Sequence, residues 1–134
     1  MNAPADRAVI HAYRHLFRQG LKACHYATPA RYMLLQSLRK AYRSSPVEAF
    51  DATKIKNTLG FLERATEVAG MEHKIFKNLL MSRYWEQDHI TREMRVSTRI
   101  LGLGRVENQL RASATNHYNL TLDRLNESLG TCLK

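Results

Sequence analysis

Residues 7–47 read RAVIHAYRHLFRQGLKACHYATPARYMLLQSLRKAYRSSPV, and the fold is decided here. The stretch holds eight cations (Arg7, Arg14, Arg18, Lys22, Arg31, Arg39, Lys40 and Arg43) and no Asp or Glu. Beyond Val47, 13 Lys and Arg face 11 Asp and Glu, so most of the formal charge of +9 sits in these 41 residues. Apolar residues recur through the same stretch at helical spacing. Val9, Tyr13, Leu16, Phe17, Gly20, Cys24 and Ala27 share one face, which predicts an amphipathic helix over about Asp6–Ala27. Arg7, His11, Arg14, Arg18, Lys22 and His25 fall within an arc of roughly 80° on another face. Solvated helices usually mix signs and gain i,i+4 pairs. A long stripe without acids forgoes those pairs and suits an anionic partner.

Working outward, Thr28-Pro29 punctuates the chain, with Thr28 as N-cap and Pro29 at the first helical position of a second helix reaching about Arg43. Arg31, Leu35, Leu38 and Tyr42 form its inward stripe, and Ser44-Ser45-Pro46 stops it. Asp51 caps a third helix over about residues 52–69, with Ile55, Leu59, Leu62 and Ala69 inward and Gly70 as its C-terminal glycine. A fourth helix starts near Glu72, turns Ile75, Phe76, Leu79 and Leu80 inward and continues through Tyr84 and Trp85. Gly102 and Gly104 break the pattern. A last helix from about Val106 to Leu129 carries Leu110, Leu120, Leu122, Leu125 and Leu129 around a polar middle. No period-two alternation and no repeat occurs. The expected class is all-α: an antiparallel helical bundle over residues 1–90 and a C-terminal helical extension over residues 91–134.

With 134 residues, 44% of them hydrophobic, the chain is long enough for one cored domain. Cys24 and Cys132 make no CxxC and no disulfide framework, which predicts free thiols. No apolar run approaches the roughly 18 residues a membrane span needs, and Met1–Arg7 has no apolar signal region. The Arg-rich amphipathic first helix has the character of a mitochondrial targeting segment. His11 and His15 are spaced as two helical metal ligands would be, but they lack a third ligand and sit among arginines, so no metal site is expected. Cys24 and His25 point about 100° apart on a helix and form no catalytic pair. Gly102-x-Gly104 is too short to be a phosphate loop, and no nucleophile–base set stands out, so no catalytic residue is expected. The second half mixes signs as solvated helices do, although Arg83, Tyr84 and Trp85 together could dock on RNA or a protein groove.

The string Ala12-Tyr13-Arg14-His15-Leu16-Phe17-Arg18 resembles the opening of the LYR-motif family of small mitochondrial helical proteins, whose first helix begins Leu-Tyr-Arg and continues x-Leu-Leu/Phe-Arg. That family carries an Arg in its second helix and an aromatic-Arg pair eleven and twelve positions later. Arg31, Tyr42 and Arg43 meet that spacing, and Leu38-Arg39-Lys40-Ala41 before them is similar too. Ala12 stands where the family has Leu, and Tyr42 where it usually has Phe. The resemblance covers roughly residues 7–90.

It implies a three-helix bundle that binds mitochondrial acyl carrier protein, the acyl chain on the carrier's phosphopantetheine entering between the helices. The family's basic residues contact the acidic carrier and its phosphate, which implies partner contacts for Arg7, Tyr13, Arg14, Arg18, Lys22, Arg31, Arg39, Lys40 and Arg43. Leu16, Phe17, Leu35, Leu38, Tyr42, Leu59 and Leu62 would line the acyl tunnel; periodicity alone makes them core. The protein would need no cofactor of its own. It would act in the mitochondrial matrix as a non-catalytic adaptor or accessory subunit of a larger complex, a respiratory complex or the mitochondrial ribosome. The alternative is a structural protein of the mitochondrial ribosome that binds rRNA phosphates through its basic faces.

Overall fold

The structure is a computed structural model that describes residues 3–87, 92, 93, 96 and 104–134. The described chain is helical, with no strand. Among the described residues, α-helices run Ala3–Ala23 (α1), Ala30–Ser44 (α2), Ala52–Glu67 (α3), Met71–Trp85 (α4) and Gly104–Leu129 (α5). A 3-10 turn, Val47–Ala49, links α2 to α3. Among the described residues, no helix is long and apolar enough to cross a membrane. Gly102 lies outside the described residues; Gly104 starts α5.

Helix α1 ends earlier than the periodicity predicts. The Tyr26 N–H donates to the Leu21 carbonyl and the His25 N–H to Lys22, a reversal that needs left-handed backbone. His25 and Tyr26 supply it at φ 53 and 56. Side chains with a Cβ pay about 1–2 kcal/mol per residue in that region, so no glycine announced this stop. The Thr28-Pro29 bond is cis, and Pro29 rather than Thr28 is the residue that precedes α2, without a side-chain cap. Asp51 caps α3 as expected, its Oδ1 accepting from Thr53 N at 2.9 Å and Lys54 N at 3.3 Å. Val68 already leaves α3 in extended backbone, so Gly70 opens α4 instead of closing α3.

Helix α1 packs against α2 and α3, and α4 packs against the same two, so four helices enclose one core. Its floor is Leu16, Ala23 and Cys24 of α1, Ala30, Met33 and Leu34 of α2, Phe61, Leu62 and Ala65 of α3, and Phe76, Leu79 and Leu80 of α4. Phe61 is 1% exposed. The buried face of α2 is therefore displaced from the expected one. Arg31 is exposed, and Leu35, Leu38 and Tyr42 are half-buried at the flank. Ala69 is exposed as well, and Thr58 takes a buried place on α3.

The residues after α4 share this core. Leu122 of α5 is buried in it, and Leu125 and Tyr118 pack beside it. Leu110, Leu120 and Leu129 stay exposed. The chain then turns at Gly130, φ 64, and residues 131–134 run back over α3. Leu133 enters the core at 6% exposure.

Candidate functional site

Three side chains singled out by the sequence meet at one end of the bundle. Tyr13 and Tyr42 stand edge to face with centroids 5.2 Å apart, and Phe17 stacks on Tyr13 at 6.5 Å. The Tyr13–Tyr42 contact binds α1 to α2 beyond its area burial, while the Tyr13–Phe17 stack lies within α1. Below them opens an apolar cleft of about 190 Å³. Leu16 and Val9 of α1, Leu38, Ala41 and Tyr42 of α2, and Ile55 of α3 form its sides. The turn residues Val47, Ala49 and Phe50 form a further wall, and Lys54, Asp51, Cys132 and Lys134 complete the lining.

Of the seven expected tunnel residues, Leu16, Leu38 and Tyr42 line this cleft. Phe17, Leu35, Leu59 and Leu62 do not, and at least Leu62 is ordinary core. Among the contributors not legible as site residues are Val47, Phe50 and Cys132. Val47 and Phe50 lie between the expected second and third helices, although two apolar residues in a short link were a signal. Cys132 reaches the cleft only through long-range packing.

The Tyr42 hydroxyl is buried and has no hydrogen-bond partner among the described residues. Burial, with smaller contributions from the neighbouring Cys132 and Tyr13, pushes its pKa up to about 12. Cys24 is buried and its thiol donates to the Leu21 carbonyl at 3.4 Å. Burial raises its pKa against the opposing pull of backbone hydrogen bonds, so it stays a protonated, unreactive thiol.

The eight cations of residues 7–47 are all exposed, and none of them lines the cleft. None of them pairs with a carboxylate among the described residues, whereas Arg64, Arg83 and Arg124 each do. Arg7, Arg14, Arg18 and Lys22 form one stripe along α1, on the opposite side from Leu16 and Gly20. Arg31 donates to the Tyr32 hydroxyl at 2.9 Å and covers that ring at 4.8 Å, so its place is the surface and not the bundle interior. Lys40 stands apart from the α1 stripe. With Met33, Gln36, Ser37, Arg83, Glu86, Gln87 and Arg92 it surrounds an open polar groove between α2 and α4. Tyr84 and Trp85 pack on each other beside it, and Arg83 is held by Glu86 at 2.9 Å. His11 and His15 are exposed on α1.

The arrangement pairs a rigid cationic helix face with an apolar cleft whose wall is the other face of the same helix. It can attract an acidic surface and shelter an apolar group. No family model, no curated protein and no solved structure matches the chain.

Proposed function

We propose that the protein is a non-catalytic adaptor of the LYR type that binds mitochondrial acyl carrier protein and attaches it to, or assembles, a larger mitochondrial complex in the matrix. One observation carries the reading. The α1 string from Tyr13 to Arg18 puts Arg14 and Arg18 outward and unpaired while Leu16 forms a wall of the apolar cleft. The same helix would therefore meet an acidic carrier and the apolar chain that the carrier presents. On this reading the three helices implied by the resemblance would be α1–α3, and α4 packs on α2 and α3 as a fourth. The carrier's acyl-phosphopantetheine would be the only prosthetic group involved, with charge-assisted bonds from Arg to its phosphate.

A second reading, rRNA binding within the mitochondrial ribosome, is favoured by cations lying on more than one face: the α1 stripe, Arg39 and Arg43 on α2, and Lys40 with Arg92 at the polar groove. Salt separates the two. Six to ten phosphate contacts lose roughly 10³–10⁵ in affinity between about 50 and 200 mM salt. A buried acyl chain contributes apolar burial that salt does not screen.

The test is binding of purified acyl-loaded carrier protein to the full chain and to an Arg14→Glu/Arg18→Glu variant at two salt concentrations. The adaptor reading expects salt-tolerant binding that the double reversal weakens by at least about tenfold, or roughly 1.4 kcal/mol. Equal affinity of both proteins for the carrier sinks it. Binding of rRNA alone, lost at high salt, selects the second reading.

A further inference from the structure

We infer that residues 131–134 are a strap that closes the apolar cleft and lifts when an apolar chain enters. The inference rests on the reading that this cleft receives such a chain. A cleft of about 190 Å³ is little larger than the roughly 150 Å³ apolar cavity that accommodates benzene. A long acyl chain is sheltered along its whole length only if one wall yields.

The walls differ in how they are held. Helices α1, α2 and α3 present whole apolar faces to the core, which moves only as a unit. The strap is held chiefly by a few polar bonds and one apolar anchor. Asn126 Oδ1 accepts from Leu133 N and from Thr131 Oγ1, both at 2.9 Å, and its Nδ2 donates to the Leu133 carbonyl at 2.6 Å. On α3 the Thr58 hydroxyl accepts from Cys132 N at 3.1 Å, and Asn57 donates to the Gly130 carbonyl at 3.1 Å. Leu133 is the anchor, while Cys132 and Lys134 are the strap's contribution to the cleft. Closure also has a cost. The Tyr42 hydroxyl, on the wall that Cys132 faces, is buried without a protein partner. Lifting the strap lets water reach that hydroxyl and widens the cleft at once.

The contact of Thr58 with Cys132 provides a lock. Their Oγ1 and Sγ atoms are 3.3 Å apart, so a Thr58→Cys sulfur has about 1 Å to close to reach the roughly 2.05 Å of a disulfide. Oxidised glutathione takes the two electrons and two protons of the paired thiols, becoming two glutathiones, and dithiothreitol reverses the bond. The probe is a fluorescent long-chain fatty acid, added to wild type, Asn126→Ala and Thr58→Cys in both redox states. The strap requires that oxidised Thr58→Cys exclude the probe, that reduction restore uptake, and that Asn126→Ala take it up about tenfold faster than wild type, the factor corresponding to about one net hydrogen bond. In the wild type, probe binding raises hydrogen exchange at the Cys132 and Leu133 amides; this readout stands even if a variant misfolds. Equal uptake by the locked and reduced forms, no uptake by any form, or unchanged exchange at Cys132 and Leu133 overturns the strap. Parallel titration with acyl carrier protein separates the two ideas. A gated probe without carrier binding retains the strap and removes the adaptor reading. Carrier binding that the lock leaves untouched does the reverse.

Discussion

Replacing Gly20 with Ala tests the packing of α1 on α2, because two opposing effects of known size meet there. In an exposed helix interior, alanine is favoured over glycine by about 1 kcal/mol. At Gly20 the added methyl carbon would stand 2.7 Å from Leu34 Cδ2, 2.9 Å from Cδ1 and 3.4 Å from Cγ. Leu34 is itself 5% exposed and enclosed by the core, so its methyls have little space to retreat into. Overpacking of this kind costs about 1–3 kcal/mol. The net expectation for Gly20→Ala is a loss of about 0–2 kcal/mol. Leu34→Ala alone costs about 2–5 kcal/mol. In that background the clash is gone and only the helix preference remains, so Gly20→Ala then stabilises by about 1 kcal/mol. The sign of one substitution reverses with the identity of its neighbour, a coupling of about 1–3 kcal/mol. Urea unfolding of the four proteins, with slopes compared to confirm a common two-state transition, measures it. The same stabilisation of about 1 kcal/mol in both backgrounds would refute the close approach of the two helices.

Three further outcomes are expected. Asp51→Ala removes both acceptor contacts at the start of α3 and lowers stability by about 1 kcal/mol, while Asp51→Asn loses much less, as thermal unfolding would show. His25→Gly relieves a left-handed backbone position and raises stability by about 1 kcal/mol; a loss would mean that the His25–His73 ring contact at 5.1 Å outweighs the backbone term. Tyr42 binds its proton more tightly folded, with a pKa of about 12, than unfolded, near the ordinary value of about 10. The unfolded chain therefore releases that proton first, and stability falls as pH rises from about 10 to 12. Tyr42→Phe should flatten this part of the profile and lose no stability at neutral pH, since its hydroxyl has no partner to forfeit.

The helices were legible where local signals were sufficient. Asp51 before an apolar period located α3, and Ile75, Phe76, Leu79 and Leu80 defined α4 by spacing alone. The buried face of α2 was not legible, for a geometric reason. That helix touches both α1 and α4, so its covered arc is wide, and Ala30-Met33-Leu34 competes with Leu35-Leu38-Tyr42 for its centre. Periodicity ranks both stripes alike, and only the neighbours choose. The end of α1 escaped notice because His25 and Tyr26 adopt a conformation that glycine normally signals. At the site, the cationic stripe of α1 follows from its helix face, whereas the meeting of Tyr13 with Tyr42 depends on how α2 is turned against α1. The hold of Asn126 and Thr58 on residues 131–133 could not be anticipated, because it joins irregular backbone to positions up to 74 residues away.

That separation has a consequence for the order in which the molecule is made. Even counted from Trp85, the end of α4, Cys132 leaves the ribosome 47 residues later, an interval of about 2–9 s at roughly 5–20 residues per second. Helices form in about a microsecond and chain collapse takes at most about 100 μs. The newborn bundle thus has its aromatic end assembled for seconds while nothing yet lies across it. In that interval an apolar guest meets a vacant seat and displaces no part of the protein. Once residues 131–134 are in place, the same seat is offered only in exchange for Leu133 and the bonds of Asn126.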